Sequence, residues 1–144
     1  MKIREILRRK GHDVVTVAPT SSVLDAVRTL VEHNIGSLVV IDEGDAPAGI
    51  ITERDVLRLT SRAPGTLDET AVASAMTRDL VTATPDDELH EMMGVMTERR
   101  IRHLPVLEEG RLAGIVSIGD LVNACWSEAR DENAHLREYI HRGG

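Results

Sequence analysis

Apolar positions along the chain change period in one order, and that order occurs twice. Asp13-Val14-Val15-Thr16-Val17-Ala18-Pro19 is a short β-prone run stopped by a proline. From Ser22 the period lengthens: Val23, Ala26, Val27, Leu30 and Val31 stand at i, i+3, i+4, i+7 and i+8, with Asp25, Arg28, Thr29 and Glu32 between them. That spacing predicts an amphipathic helix ending near His33-Asn34-Ile35-Gly36. Ser37-Leu38-Val39-Val40-Ile41 then predicts a buried strand, and Asp42-Glu43-Gly44-Asp45 a turn. Gly49-Ile50-Ile51-Thr52-Glu53-Arg54-Asp55-Val56-Leu57 reads as a strand running directly into a helix. The first unit is therefore ordered β-α-β-β-α and ends near Ser61.

Arg62-Ala63-Pro64-Gly65-Thr66 breaks the helical pattern, and the unit begins again. Asp13 to Pro19 matches Asp79-Leu80-Val81-Thr82-Ala83-Thr84-Pro85 at a shift of 66, and at the same shift Val23, Ala26, Val27 and Leu30 fall on Leu89, Met92, Met93 and Met96. Asp55 to Asp120 is a shift of 65, which places the loss of one residue in the turn before the third strand. Agreement of identity, period and order over some fifty residues predicts an internal duplication, whose two apolar sheet faces bury against each other. The flanks are helical. Ile3, Ile6 and Leu7 form an apolar stripe among Lys2, Arg4, Arg8, Arg9 and Lys10, ended by Gly11. This stretch is either a basic arm or, as the stripe favours, a helix docked on the core. Ser127 to His141 is charged with sparse apolar anchors and predicts a terminal helix.

Composition narrows the chemistry. With 144 residues, 42% of them hydrophobic, no Phe, one Trp and one Tyr, the core must be aliphatic. A net charge of −7 opposes broad contact with a nucleic-acid backbone but not with a small anion held by local cations. One cysteine, Cys125, without a nearby His or Lys in the chain, reads as small buried filler and points to a reducing, cytoplasmic setting. The N-terminus lacks the apolar run of a signal peptide, and no segment is long enough to span a bilayer. None of the six histidines has metal-ligand spacing, and no phosphate loop or nucleophile constellation is discernible; no metal, catalytic residue or catalytic cofactor is expected.

Each strand-to-helix element places a hydroxyl, then a carboxylate one turn on, at a helix N-terminus: Thr52 and Asp55, then Ser117 and Asp120. The same [ST]-x-x-[DE] pattern is a capping box, which needs no ligand, although capping and binding can coexist. Arg99-Arg100-Ile101-Arg102-His103 is the dense cationic cluster outside the first helix. It reads either as a phosphate clamp or as cations complementing a helix C-terminus. The first unit has Asn34, Gly36 and Ser37 at the places of Arg100, Arg102 and His103, and the second has Gly119 at the place of Arg54, so the two units are not equivalent.

Duplicated GhhTxxD and GhhSxxD elements, each preceded by a strand ending in proline and a helix, resemble the cystathionine-β-synthase (CBS) domain, and two in tandem resemble a CBS pair, or Bateman module. The resemblance covers about residues 12–126. It implies an α+β fold of two units packed sheet to sheet about a pseudo-twofold axis, divided here as a lead-in helix 1–11, CBS domains 12–66 and 67–126, and a C-terminal helix 127–144. It further implies a non-catalytic regulatory module, often a homodimer, that binds an adenosine-containing ligand such as AMP, ATP, NAD or S-adenosylmethionine and acts on a regulated protein partner. In that family the aspartates hold the ribose diol, as Asp55 and Asp120 would here, with Thr52, Ser117 and Arg54 near ribose or phosphate. Adenine would lie against Thr16, Val17, Pro19, Gly36 and Ser37, or against Thr82, Ala83, Pro85, His103 and Pro105, and Arg102 with His103 would serve phosphate. A ligand-independent dimerisation scaffold is the alternative.

Overall fold

The chain runs α1 (Ile3–Lys10), β1 (Thr16–Val17), α2 (Val23–His33), β2 (Ser37–Ile41), β3 (Pro47–Thr52), α3 (Glu53–Arg62), α4 (Val72–Ala75), α5 (Leu89–Arg99), β4 (His103–Glu108), β5 (Arg111–Ser117) and α6 (Ile118–Gly143). The computed structural model describes residues 1–44 and 46–143, with side chains described through residue 136 except at 45. The β1-β2-β3 sheet pairs β1 parallel to β2 and β2 antiparallel to β3, and β4 and β5 form an antiparallel pair. The duplication extends to irregularities: the register shifts between Val40 and Ile41 in one copy and between Val106 and Leu107 in the other. The one-residue difference falls in the hairpin. Glu109 and Gly110, both at positive φ, close the second copy in a tight turn of the kind that matches strand twist.

The helices that open each repeat are exchanged. Ile3, Ile6 and Leu7 of α1 are buried in the second core with Leu89, Met96, Leu104 and Val116, so the basic first helix docks by its apolar stripe. Val72 of α4 is buried in the first core with Val23, Ala26, Leu38 and Ile51. Backbone bonds repeat the exchange: Ile3 N–H and Arg4 N–H donate to the carbonyls of Asp87 and Pro85 at 2.9 and 2.8 Å, and Val72 N–H and Ala73 N–H donate to those of Ser21 and Pro19 at 2.8 and 3.0 Å. Each repeat is thus completed by a segment that precedes the other in sequence. Two glycines allow the close approach. A Cβ on Gly49 would sit 2.7 Å from Met76 Sδ and 2.8 Å from the Thr77 carbonyl oxygen, and one on Gly114 would sit 2.7 Å from Leu7 Cδ2.

Two expectations are corrected. The strand expected at Asp79–Pro85 is reduced to a single parallel bridge, Ala83 to Val106, with Ala83 N–H donating to Pro105 O and Leu107 N–H to Ala83 O. Pro105 stands where the first repeat has Val39, the partner of Thr16, and its missing N–H stops the ladder from extending toward Val81. The terminal helix does not begin at Ser127: α6 is continuous from Ile118, and Leu121 and Ala124 dock its first turns on the second core. Both faces of β2 are covered, since Leu38 and Val40 join the helices while Val39, on the opposite face, is also fully buried.

Candidate ligand-binding clefts

Thr52 ends β3 in extended conformation and caps α3: its Oγ1 accepts from the Asp55 N–H at 3.3 Å, and Asp55 Oδ2 accepts from the Thr52 N–H at 2.9 Å. Asp55 Oδ2 also accepts from the Thr52 hydroxyl, and Oδ1 accepts from Thr77 Oγ1 at 3.1 Å. With 6% of its surface exposed, Asp55 is one of two buried polar residues among the described residues, the other being Ser37. The head of α6 is built alike. Asp120 Oδ2 accepts from the Ser117 N–H at 2.8 Å, and Asp120 N–H donates to Ser117 Oγ at 3.1 Å. Here the third partner differs: Lys10 Nζ donates to Asp120 Oδ2 at 2.6 Å and to the Ile115 carbonyl at 2.8 Å. Burial works to raise the Asp120 carboxyl, but the Lys10 and Ser117 hydrogen bonds and the ammonium charge outweigh it and hold the pKa below the ordinary value.

A cleft of about 420 Å³ joins the repeats. One wall is the head of α3, with Thr52, Glu53, Arg54 and Asp55; the other is the entry to β4, with Arg99, Arg100, Ile101, Arg102 and His103; Gly36 lies between them. A Cβ on Gly36 would come within 3.3 Å of the His103 imidazole, so the ring lies close to the first repeat's backbone. Burial lowers the His103 pKa; Glu53 and Asp120 oppose the shift, while Lys10 and Arg102 add to it. The cationic cluster of the second repeat therefore faces the helix end of the first. The cluster shares this cleft with Asp55, while the charge of Asp120, in its own copy, also acts on His103.

Asp120 opens instead into a hollow of about 280 Å³ that it shares with Ile6, Arg9, Lys10, Asn123 and Ala124. Gly36, Thr52, Arg54, Asp55, Arg102 and His103 thus line one cleft, and Asp120 lines the other hollow. Thr16, Val17, Pro19, Ser37, Thr82, Ala83, Pro85, Pro105 and Ser117 line neither hollow. Sequence reasoning missed Lys10, Thr77, Glu53 and Arg58. Lys10 was legible only as one cation of a solvated face, and Thr77 follows the exchanged helix α4, whose destination no local pattern reveals.

The reading of Cys125 as lacking a nearby histidine is corrected. His90 Nδ1 lies 3.9 Å from Cys125 Sγ, brought from α5, and His90 Nε2 lies 3.1 Å from Glu128 Oε2. The thiol is nonetheless pushed up by burial and by Glu128 and Glu88, the reverse of activation. Among the described residues no group of three His, Cys, Asp or Glu side chains is arranged to hold a metal, and no helix is long and apolar enough to cross a membrane.

The family model of the CBS domain matches residues 3–62 and 72–127. The chain is 38% identical over 149 aligned positions to the mitochondrial CBS domain-containing protein CBSX3 of Arabidopsis thaliana, covering 98% of this chain and 72% of that one. It superposes with a TM-score of 0.83 and 42% identity on a CBS-domain containing protein from Agrobacterium tumefaciens, covering 86% and 98% of the two chains. It also superposes with a TM-score of 0.79 and 25% identity on the CBS domain pair of protein MJ0100 in complex with 5′-methylthioadenosine and S-adenosyl-L-methionine, covering 89% and 98%. The chain belongs to the CBS-domain family and carries two CBS domains in tandem.

Proposed function

We propose that this CBS pair is a non-catalytic regulatory module that binds an adenosine-containing nucleotide, AMP, ATP or NAD, in the cleft between its repeats. The observation that carries this reading is the position of Thr52 and Arg54 at the head of α3 opposite Arg102 and His103 at the entry to β4. The helix dipole and planar guanidinium donors both favour phosphate there. A ligand held by both walls would couple the repeats, which suits a sensor. Asp55 already accepts three hydrogen bonds, two from Thr52 and one from Thr77, and a carboxylate offers about four lone-pair sites, which leaves one on Oδ1 for a ribose hydroxyl. Asp120 Oδ1 has no partner among the described residues and is the second candidate acceptor. The complex of the MJ0100 pair with two adenosine-containing ligands supports the ligand class. The single cysteine supports a reducing, cytoplasmic setting.

Calorimetry with adenosine and AMP on the parent and on Arg102→Ala tests the reading. AMP should bind the parent, and the variant should lose ~1.5–3 kcal/mol of AMP affinity, the scale of a hydrogen bond to a charged group, while adenosine is little affected. No binding of any adenine nucleotide would leave the scaffold alternative. One observation favours self-association alongside binding: Val31, Leu57 and Trp126 are 76%, 69% and 61% exposed on helices. We read the protein as a homodimer serving a regulated partner, and a strictly monomeric mass by light scattering at micromolar concentration would overturn the dimer.

A further inference from the structure

In a protein of net charge −7, five arginines line the inter-repeat cleft, Arg54 and Arg58 on α3 and Arg99, Arg100 and Arg102 at the entry to β4, and a sixth, Arg62 on α3, lines the hollow that adjoins it. None makes an ion pair or a side-chain hydrogen bond among the described residues. The duplication supplies an internal control. At the equivalent positions of the other copy stand Gly119, Asn123 and Ser127 for the α3 arginines, and His33, Asn34 and Gly36 for the others. The charge is therefore one-sided and not a requirement of the fold.

Two of these positions work against local preference, one electrostatic and one conformational. Arg54 lies in the first turn of α3, where the helix dipole disfavours a cation, and it repeats at i+4 and i+8 as Arg58 and Arg62, a like-charge spacing. Arg100 holds the left-handed cap of α5 at φ 55, where the first repeat has Asn34 at φ 52. Asparagine tolerates that conformation far better than arginine does.

The space fits the charge. The cleft of about 420 Å³ shares Arg54, Asp55, Leu57, Arg58 and Thr77 with a second hollow of about 590 Å³ that continues between α3 and the α4 segment to Arg62. The stripe from Arg54 to Arg62 spans ~12 Å of helix, longer than a single phosphate. Ser61 and Ser74 add hydroxyls to the far end. The acids in this groove are Glu53, beside His103, and Asp55, whose carboxylate is turned to Thr52 and Thr77.

We propose that the groove from His103 past the head of α3 to Arg62 binds a linear polyphosphate chain, carried by a nucleotide or free. Guanidinium groups recognise successive phosphates in pairs of donors, and a row of them selects chain length over base identity. The proposal deepens the nucleotide reading but does not require it, since a free chain would bind without adenosine.

The test is calorimetry at fixed ionic strength with inorganic tripolyphosphate, ATP, AMP and adenosine, on the parent and on Arg58→Gln/Arg62→Gln. Both positions are exposed and unpaired, so the variant should fold, and Arg58→Lys/Arg62→Lys keeps the charge without the paired donors. Tripolyphosphate should bind the parent, and the Gln variant should bind tripolyphosphate and ATP at least about tenfold more weakly, with a smaller loss for AMP. ATP binding more tightly than tripolyphosphate assigns the chain to a nucleotide, and equal affinities assign it to a free chain; either supports the groove. Absence of tripolyphosphate binding to the parent, or binding that the Gln variant leaves intact, overturns the proposal. AMP binding would survive that result, so the two readings fail separately.

Discussion

Lys10 closes α1 onto the head of α6, its Nζ 2.6 Å from Asp120 Oδ2, and Thr77 takes the corresponding place on Asp55 after α4. In both repeats the exchanged segment therefore supports the carboxylate at a helix N-terminus. In one the supporting group is a cation and in the other a hydroxyl, which makes the two helix heads electrostatically unequal.

The Lys10 pair is partly exposed, 34% and 25% at the two side chains, and solvent screening discounts it accordingly. Lys10→Met should destabilise by ~0.5–1 kcal/mol in denaturant unfolding. The difference from the parent should shrink at high salt. A loss that is independent of salt would assign the effect to the Ile115 carbonyl bond or to packing.

Gly49→Ala and Gly114→Ala look equivalent by sequence but meet different neighbours. At Gly49 the new methyl meets the backbone oxygen of Thr77 as well as Met76, whereas at Gly114 it meets only the end of the Leu7 side chain, which can change rotamer. Gly49→Ala should cost ~1–3 kcal/mol, the usual range for overpacking a core, and Gly114→Ala less. Equal losses in urea midpoints would show that Leu7 is as immobile as backbone.

Much of this was readable along the chain because it depends on local period. The stripe of α2, the Gly11 end of α1 and the duplicated strand-to-helix elements all follow from residues within a few positions of one another. What was not readable depends on which surface an apolar stripe chooses. Ile3, Ile6 and Leu7 announce a docked face, but nothing local says that it docks on the second repeat, and so nothing announced Lys10 at Asp120. The same holds for Arg102 and His103, whose placement against the first repeat's Gly36 follows from the packing of the two copies. The loss of the strand before Ala83 was legible in principle, since Pro105 replaces the Val39 that pairs with Thr16.

His103 links stability and binding to pH. Its pKa in the folded protein is lowered, chiefly by burial, below the ordinary histidine value of ~6.5. Below that value the unfolded chain binds more protons than the folded one, so this contribution to stability is present above pH ~6.5 and is lost as pH falls from there toward the folded pKa. A phosphate placed beside the ring would favour its protonated form, so an anion should bind more tightly as pH falls through the same window. Unfolding at pH ~5.5 and ~7.5 should show a loss for the parent that His103→Gln reduces. An unchanged pH slope in that variant would assign the titration elsewhere.

Arg100 separates folding from function most directly. It caps α5 in the left-handed conformation, and its cap N–H bonds the carbonyls of Met96 and Thr97 as Asn34 bonds those of Leu30 and Val31 in α2. Those bonds are made by the backbone and do not depend on the side chain. Arg100→Asn should therefore keep the cap, relieve the steric cost of arginine at positive φ and raise stability by ~0.5–1 kcal/mol. It also removes one cation from the cleft wall, so affinity for a phosphate-bearing ligand should fall. Gain of stability with loss of anion binding is the signature of a residue kept against its local preference by the site. Should the variant be less stable than the parent in urea, the guanidinium would be holding the end of α5 as a structural cation, and Arg100 would leave the anion site.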